Sequence, residues 1–186
     1  MSQGSSEPVL GFRQLGLSPD TLKALANVNY EVPSSIQSAF IPEALTGRDC
    51  IGQARTGTGK TAAFCLPILE LIDEDEPHVQ ALVLTPTREL SAQVAAECEK
   101  LAFTRPIKFA CCVGGKTIQR QIDDIRRGSQ IVIGTPGRII DLLTRRVLSL
   151  DGLKIVVLDE ADRMLDIGFR PDIEKILRRC PTERQT

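Results

Sequence analysis

The sequence is poor in aromatic residues and has no long hydrophobic run. Its 186 residues include no tryptophan, one tyrosine and six phenylalanines. No apolar stretch approaches the ~20 residues that a membrane-spanning helix needs. The first residues, MSQGSSEPVLGF, lack the basic and apolar segments of a secretion signal. We therefore expect a protein without membrane contacts that works inside the cell, in the cytoplasm.

Metal-binding patterns are also scarce. The chain has a single histidine, His78, and six cysteines without a C-x-x-C pair, which excludes the spacing of common zinc sites. Most of these cysteines lie in apolar stretches, so we expect small core residues with reduced thiols. The six are Cys50, Cys65, Cys98, Cys111, Cys112 and Cys180.

No charge sign dominates, because the formal net charge is −1, but the charges are unevenly distributed. Residues 66–78 carry five acids and no lysine or arginine. Residues 104–146 carry nine lysines and arginines against three aspartates, a local excess of 9 − 3 = 6 positive charges. This excess fits either a basic binding face or a set of solvated helix faces.

The chain has the length and composition of one globular domain, with 42% hydrophobic and 25% charged residues. Residues 1–8 are polar and aperiodic, so we predict a disordered lead-in followed by a domain over 9–186. Short apolar runs then alternate with helical patterns such as 87–103 and 136–146, as in β-α-β units. The predicted fold is a three-layer α/β/α sandwich with a mainly parallel sheet. The predicted strands are 49–54, 80–86, 109–114, 130–136 and 155–160.

A polar cluster follows each predicted strand. Because ligands bind beyond the carboxyl ends of the strands in an open parallel sheet, all five clusters should share one functional rim. They read ARTGTGKT, TPTREL, GGK, TPGR and DEAD in chain order.

The first cluster has the features of a phosphate-binding loop. Gly57 and Gly59 allow phosphate oxygens to approach the backbone, Lys60 supplies a positive charge, and the Thr61 hydroxyl can bind Mg²⁺. Ala54 replaces the usual first glycine, where a methyl group is tolerable because this position serves only the turn out of the strand. The predicted nucleotide-binding loop comprises Ala54, Arg55, Thr56, Gly57, Thr58, Gly59, Lys60 and Thr61.

Two carboxylates follow the last predicted strand. Asp159 stands where it can hold the metal bound by Thr61, and Glu160 can orient or deprotonate an attacking water. Read without the loop, Asp-Glu after a strand could simply cap the next helix. Together with Lys60, these two residues are the predicted catalytic groups.

The order of these motifs resembles the first RecA-like domain of the DEAD-box ATP-dependent RNA helicases, over nearly all of residues 12–186. The family name spells residues 159–162, and the family usually has alanine at the position of Ala54. The resemblance implies ATP and Mg²⁺ as cofactors. It also implies that Gln37 bonds the adenine edge, that Phe12 and Tyr30 belong to the base site, and that Asp162 couples the site to other elements. The segment NYEVPSSIQ, which contains Tyr30 and Gln37, is similar to the adenine-reading motif of the family but has Ser34-Ser35 where the family commonly has Thr-Pro.

The resemblance further implies sequence-independent RNA binding by the loops after the second, third and fourth predicted strands. Such contacts read phosphates and 2′-hydroxyls. Because two of these loops lie in the basic segment 104–146, the resemblance favours a binding face there. The implied RNA-binding residues are Pro86, Thr87, Arg88, Gly114, Gly115, Thr135, Pro136, Gly137 and Arg138.

The resemblance also predicts a second RecA-like domain as a partner, and a Ser-Ala-Thr strand just after Thr186. The expected chain is therefore the incomplete amino-terminal domain of a longer enzyme, nearly inactive in isolation. Two alternatives remain: a phosphate-loop ATPase that acts on DNA or protein, and a nucleotide-binding module without catalysis.

Overall fold

Four short parallel strands form the centre of the computed structural model, which describes residues 11–55 and 57–186. The lead-in predicted for residues 1–8 and the position of Thr56 lie outside the described residues. The strands lie in the spatial order β2-β3-β1-β4, and all three pairings are parallel. They are β1 (Ala81–Leu84), β2 (Phe109–Cys112), β3 (Ile131–Gly134) and β4 (Ile155–Leu158).

Helices cover both faces of this sheet. Side chains of the first four helices pack in one core cluster, and side chains of the last four pack in a second cluster across the sheet. This confirms the predicted three-layer sandwich. The helices are α1 (Pro19–Asn27), α2 (Ser35–Leu45), α3 (Lys60–Leu71), α4 (Arg88–Leu101), α5 (Ile118–Arg126), α6 (Pro136–Thr144), α7 (Ala161–Ile167) and α8 (Arg170–Leu177), preceded by a short 3-10 helix (Phe12–Gln14).

Strand β1 illustrates why these apolar runs form strands. Ala81 and Val83 point into the first core cluster, whereas Leu82 and Leu84 point into the second. Because successive side chains of a strand face opposite sides, a strand buried on both faces needs a continuous apolar run. None of the described helices is long and apolar enough to cross a membrane.

The predicted strand at 49–54 is wrong. No strand is assigned there, and the Ile51 side chain is fully exposed, with a relative accessibility of 102%. A single backbone bond, from Cys50 N to Thr186 O (3.1 Å), joins this segment to its neighbour. Gln185 pairs with Ile155 of β4, so residues 185 and 186 lie between β4 and the segment. One hydrogen bond cannot replace the ladder that defines a strand.

The cysteine prediction is wrong for one pair. Cys65 of α3 and Cys98 of α4 are joined by a disulfide with a Cα–Cα distance of 5.8 Å. Both side chains lie in the first core cluster, as the apolar sequence context predicted, but they are not free thiols. The other four cysteines are free, and burial raises the pKa of the Cys112 thiol to about 12.

Candidate functional site

The predicted phosphate loop lies directly before α3. Gly57 and Gly59 have φ angles of 82° and 85°, a left-handed conformation that favours glycine. Gly59 precedes the first residue of α3, so the free N–H groups and the positive end of the helix dipole point toward the loop. The Thr58 hydroxyl donates to Arg55 O (2.6 Å) and closes the turn. The local geometry therefore matches the sequence prediction.

Gln37 contacts this loop from α2. Its side chain is 5% exposed. Its Oε1 accepts from Ser34 N (2.8 Å), and its Nε2 donates to Gly59 O (3.1 Å). A Cβ on Gly59 would overlap the Gln37 amide, so this close approach also requires glycine. The amide that we expected to read a base is thus bonded to the protein's own backbone in this structure.

Asp159 and Glu160 follow β4 on the same rim. Asp159 is 9% exposed, and burial raises the pKa of its carboxyl, while the nearby Lys60 opposes that shift. Glu160 has φ 52° and ψ 49°, which a residue with a Cβ adopts at a cost of roughly 1–3 kcal/mol. Its carboxylate pairs with Arg163 (3.1 Å). A strained carboxylate beside a buried one is typical of functional sites.

A cavity of about 600 Å³ connects these groups. Lys60, Asp159, Glu160 and Asp162 line it together with Ala54, while α2, α3 and β4 supply apolar walls. Thr61, in the first turn of α3, is half-buried and does not line this cavity. Among the described residues, no group of three or more histidine, cysteine or acidic side chains could hold a metal by itself.

Phe12 and Tyr30 form an aromatic pair. Their rings are stacked, with centroids 6.4 Å apart and an interplanar angle of 10°. Phe12 is buried, whereas Tyr30 is half-buried and bonds to Glu97 of α4. Neither aromatic residue lines the cavity that contains Lys60 and Asp159. The structure thus brings the two predicted aromatics together, but apart from the carboxylates.

The loop after β1 carries Thr87 and Arg88. Thr87 caps α4 by accepting a hydrogen bond from Leu90 N (3.2 Å). Beneath it, the buried hydroxyls of Thr85 and Ser91 lie 2.6 Å apart, so one donates to the other, and both lie within hydrogen-bonding distance of Thr87 O (3.1 and 3.0 Å). Sequence reasoning missed Thr85 and Ser91, although Ser91 lies one turn after the cap on the buried face of α4.

Arg88 reaches across the rim to the loop after β2. Its guanidinium lies where a Cβ on Gly115 would stand, and Gly115 has a φ of 71°. A side chain at this position would therefore displace the Arg88 guanidinium, and the positive φ disfavours one in addition. The loops that carry these two residues are next to each other, as expected for a shared surface.

Arg138, from the loop after β3, is directed into the protein. Its Nη1 donates to Gln121 Oε1 (2.8 Å), and its side chain is 13% exposed. Both of its terminal nitrogens approach Lys116 O, at 3.5 and 3.4 Å. Gln121 is buried and also donates to Val113 O (3.1 Å). The guanidinium thus joins the loops after β2 and β3, and sequence reasoning missed Gln121 as their link.

The other predicted RNA contacts differ in exposure. Gly137 is exposed, and Gly114 and Thr135 are half-buried, so their backbones or hydroxyls are accessible at the rim. Pro86 and Pro136 are buried and act as part of the scaffold beneath the loops.

Comparison with known proteins identifies the family. A family model described as DEAD/DEAH box helicase matches residues 34–186. This chain belongs to the DEAD/DEAH box helicase family. The match covers the phosphate loop, the carboxylates after β4 and the three rim loops.

Relatives of this helicase-family chain are longer proteins. It is 48% identical to the ATP-dependent RNA helicase CshA of Listeria monocytogenes and 50% identical to the RNA helicase CrhR of Synechocystis sp.. Both alignments cover 94% of this chain, but only 34% and 35% of those proteins. The chain therefore spans about a third of the length of these curated relatives.

A solved structure gives the same result for the fold. A DEAD box protein from the hyperthermophile Methanococcus jannaschii superposes with a TM-score of 0.90 and 44% sequence identity. The superposition covers 94% of this chain and 48% of that one. The α/β/α sandwich is therefore a RecA-like domain.

Proposed function

We propose that this chain is the ATP- and RNA-binding domain of an ATP-dependent RNA helicase that acts in the cytoplasm. The observation that carries the proposal is the cavity in which Lys60, Asp159 and Glu160 meet beside the phosphate loop. The full protein would couple ATP binding to RNA clamping and local duplex unwinding, and ATP hydrolysis to release.

ATP would bind with its phosphates on the amino end of α3 and on Lys60. The left-handed glycines of the loop and the helix dipole support this orientation. The adenine would lie near Gln37 and the Phe12–Tyr30 pair. To bond the base, the Gln37 amide would exchange its bond to Gly59 O or Ser34 N for one to the adenine edge.

Thr61 and Asp159 would hold Mg²⁺, which neutralises phosphate charge when it is bound. The buried Asp159 carboxylate, whose pKa is raised by burial, fits a site that gains from a cation. A hydroxyl and one carboxylate are a sparse protein ligand set, which suits an ion that keeps several waters and phosphate oxygens.

Glu160 would position the attacking water. Asp162, which is exposed at the cavity mouth, would couple this site to a second RecA-like domain. The length of the relatives supports the presence of such a domain in the full protein.

RNA would bind the three rim loops through its backbone. Arg88 and the exposed glycines of these loops offer phosphate and sugar contacts. Arg138, which is held by Gln121, would contribute mainly by fixing the loops after β2 and β3 against each other.

The experiment uses the protein with both RecA-like domains and compares the wild type with Glu160→Gln. We expect RNA-stimulated phosphate release by the wild type, and at least a tenfold loss of turnover with retained ATP and RNA binding in the variant. Undiminished turnover in Glu160→Gln would refute its role. The stimulation assay also separates the alternatives: DNA stimulation would favour a DNA-directed ATPase, and binding without turnover would favour a non-catalytic module.

A further inference from the structure

A hydrogen bond links the predicted base site to a distant helix. The Tyr30 hydroxyl, in the loop between α1 and α2, donates to Glu97 Oε1 of α4 at 2.5 Å. The two residues are 67 positions apart in sequence. Bonds from a hydroxyl to a carboxylate are short and about twice as strong as neutral ones. Burial and the Glu97 contact raise the pKa of Tyr30 to about 12, so the hydroxyl remains a donor at physiological pH.

Contacts of the ring face, the backbone and the hydroxyl together fix Tyr30. Its face stacks on the buried Phe12 ring. Its backbone N–H donates to Leu25 O (2.9 Å), which fixes the loop next to the left-handed Asn29. The Glu97 bond then removes the remaining freedom of the ring to swing about χ1.

Glu97 is itself well placed as an anchor. Its side chain is 21% exposed and lies on α4 between the buried residues Val94 and Cys98. Its second oxygen lies 3.7 Å from Lys100 Nζ. The carboxylate therefore has separate partners for its two oxygens, and the one that holds Tyr30 is not shared with Lys100.

We propose that Glu97 is a positioning residue for base recognition: it fixes the Tyr30 ring in the orientation that stacks on adenine. The inference rests on the proposed function, because it requires that Tyr30 contacts the base. It adds a residue of α4, outside the base-site residues named above, to the determinants of nucleotide selectivity. A pre-oriented ring binds more tightly because no rotamer entropy is lost on binding.

The test measures the affinities of this chain for ATP–Mg²⁺ and GTP–Mg²⁺ by calorimetry. Tyr30→Phe keeps the stacking ring and removes the anchor, and Glu97→Ala removes the anchor from the other side. We expect each variant to weaken ATP binding about three- to tenfold, the factor typical of one lost hydrogen bond. The ratio of ATP to GTP affinity should fall by a similar factor.

Two further variants separate positioning from folding. Glu97→Gln keeps an acceptor of the same shape and should retain ATP affinity within about twofold, since its amide oxygen still accepts from Tyr30. Glu99→Ala removes an exposed glutamate from the same helix and should bind ATP as the wild type does. The Tyr30→Phe/Glu97→Ala double variant should be no weaker than either single variant, because both remove one bond.

The outcomes are distinct. Additive losses in the double variant, or an unchanged ATP-to-GTP affinity ratio in folded Tyr30→Phe and Glu97→Ala proteins, would overturn the inference and leave the bond as a tie within the fold. A wild-type chain that binds neither nucleotide would overturn the proposed function as well.

Discussion

Two cavities of nearly equal volume lie at opposite ends of the sheet. The carboxyl-end cavity has about 600 Å³, runs along β4 to its carboxyl end, and contains Lys60, Asp159 and Glu160. The one at the amino ends has about 610 Å³ and lies between the ends of α4 and α5 and the start of β2. Size therefore does not distinguish them, and the difference lies in their chemistry.

Most charged groups that line the amino-end cavity have partners within the protein. Arg105 pairs with Glu74 (3.1 Å), Lys108 donates to Arg127 O (2.9 Å), and Arg127 pairs with Asp124. The Arg127 side chain is 68% exposed, and a pair so exposed contributes little to stability, whereas Arg105 is partly buried. The amino-end cavity has the charge pattern of an ordinary solvated surface.

The carboxyl-end cavity keeps features that are unfavourable without a ligand. A carboxylate is buried at Asp159, and Glu160 adopts a left-handed conformation. Proteins retain such features where a bound group compensates for them. Unfavourable burial and strain, rather than volume, therefore distinguish the end of the sheet that we propose to be functional.

The largest effect should come from Lys60→Ala. The variant removes the charge that meets the phosphates, so ATP–Mg²⁺ should no longer raise its melting temperature. At 100-fold excess over Kd, this protection amounts to about 2.7 kcal/mol. Lys108→Ala, the matched change in the amino-end cavity, should retain the thermal protection by ATP–Mg²⁺. Thermal shift with and without ATP–Mg²⁺ measures both variants, and equal protection in the two would contradict the assignment of the phosphate site.

Buried glutamines allow a second test, because both ends of the sheet contain such residues. Gln121 links the rim loops, whereas Gln130 holds the backbone of Lys108 and Glu74 at the other end. Replacement of either by alanine leaves buried polar groups without partners and should cost about 1–3 kcal/mol of unfolding free energy. Urea unfolding measures that loss.

RNA binding should separate these two variants. Only Gln121→Ala should weaken it, because Arg138 then loses the partner that orients it. Titration of a labelled single-stranded RNA at fixed salt measures this affinity, and a similar loss in Gln130→Ala would count against a role of the rim loops.

Sequence patterns predicted the parts of the molecule that depend on local chemistry. Four of five strands were found because continuous apolar runs fit a sheet buried on both faces, and the turn of the predicted phosphate loop was found because its left-handed glycines directly precede α3. The strand at 49–54 failed because a strand also needs a paired neighbour, which no local pattern reveals. Glu97, Gln121 and the Cys65–Cys98 disulfide were missed for a related reason: their partners lie 67, 17 and 33 residues away.

The pH dependence of stability provides a third test. Because the pKa of Asp159 is raised by burial, the folded chain holds this proton at pH values where the unfolded chain has lost it. The contribution of Asp159 to stability should therefore decrease as pH rises from 3.8, the ordinary pKa of an aspartate side chain, through the raised pKa of the folded state. Above that window, Asp159→Asn should melt at a higher temperature than the wild type without ligand.

Asp124→Asn is the control at the amino-end cavity. Asp124 pairs with Arg127, so its replacement should not raise the melting temperature. With ATP–Mg²⁺, the wild type should instead melt at a higher temperature than Asp159→Asn, because its carboxylate can then bind the metal ion. If the ligand-free wild type melts at a higher temperature than Asp159→Asn at every pH, burial of the Asp159 carboxylate is not unfavourable.

The smallest effect should come from Phe103→Ser in the amino-end cavity. Phe103 is 75% exposed, so its replacement removes little buried apolar surface and should change the unfolding free energy by less than about 0.5 kcal/mol. ATP affinity and RNA affinity should both stay at the wild-type value, as measured by calorimetry and RNA titration. A clear loss of either affinity would mean that the amino-end cavity takes part in binding through Phe103, its most accessible aromatic residue. The two ends of the sheet would then no longer differ in function.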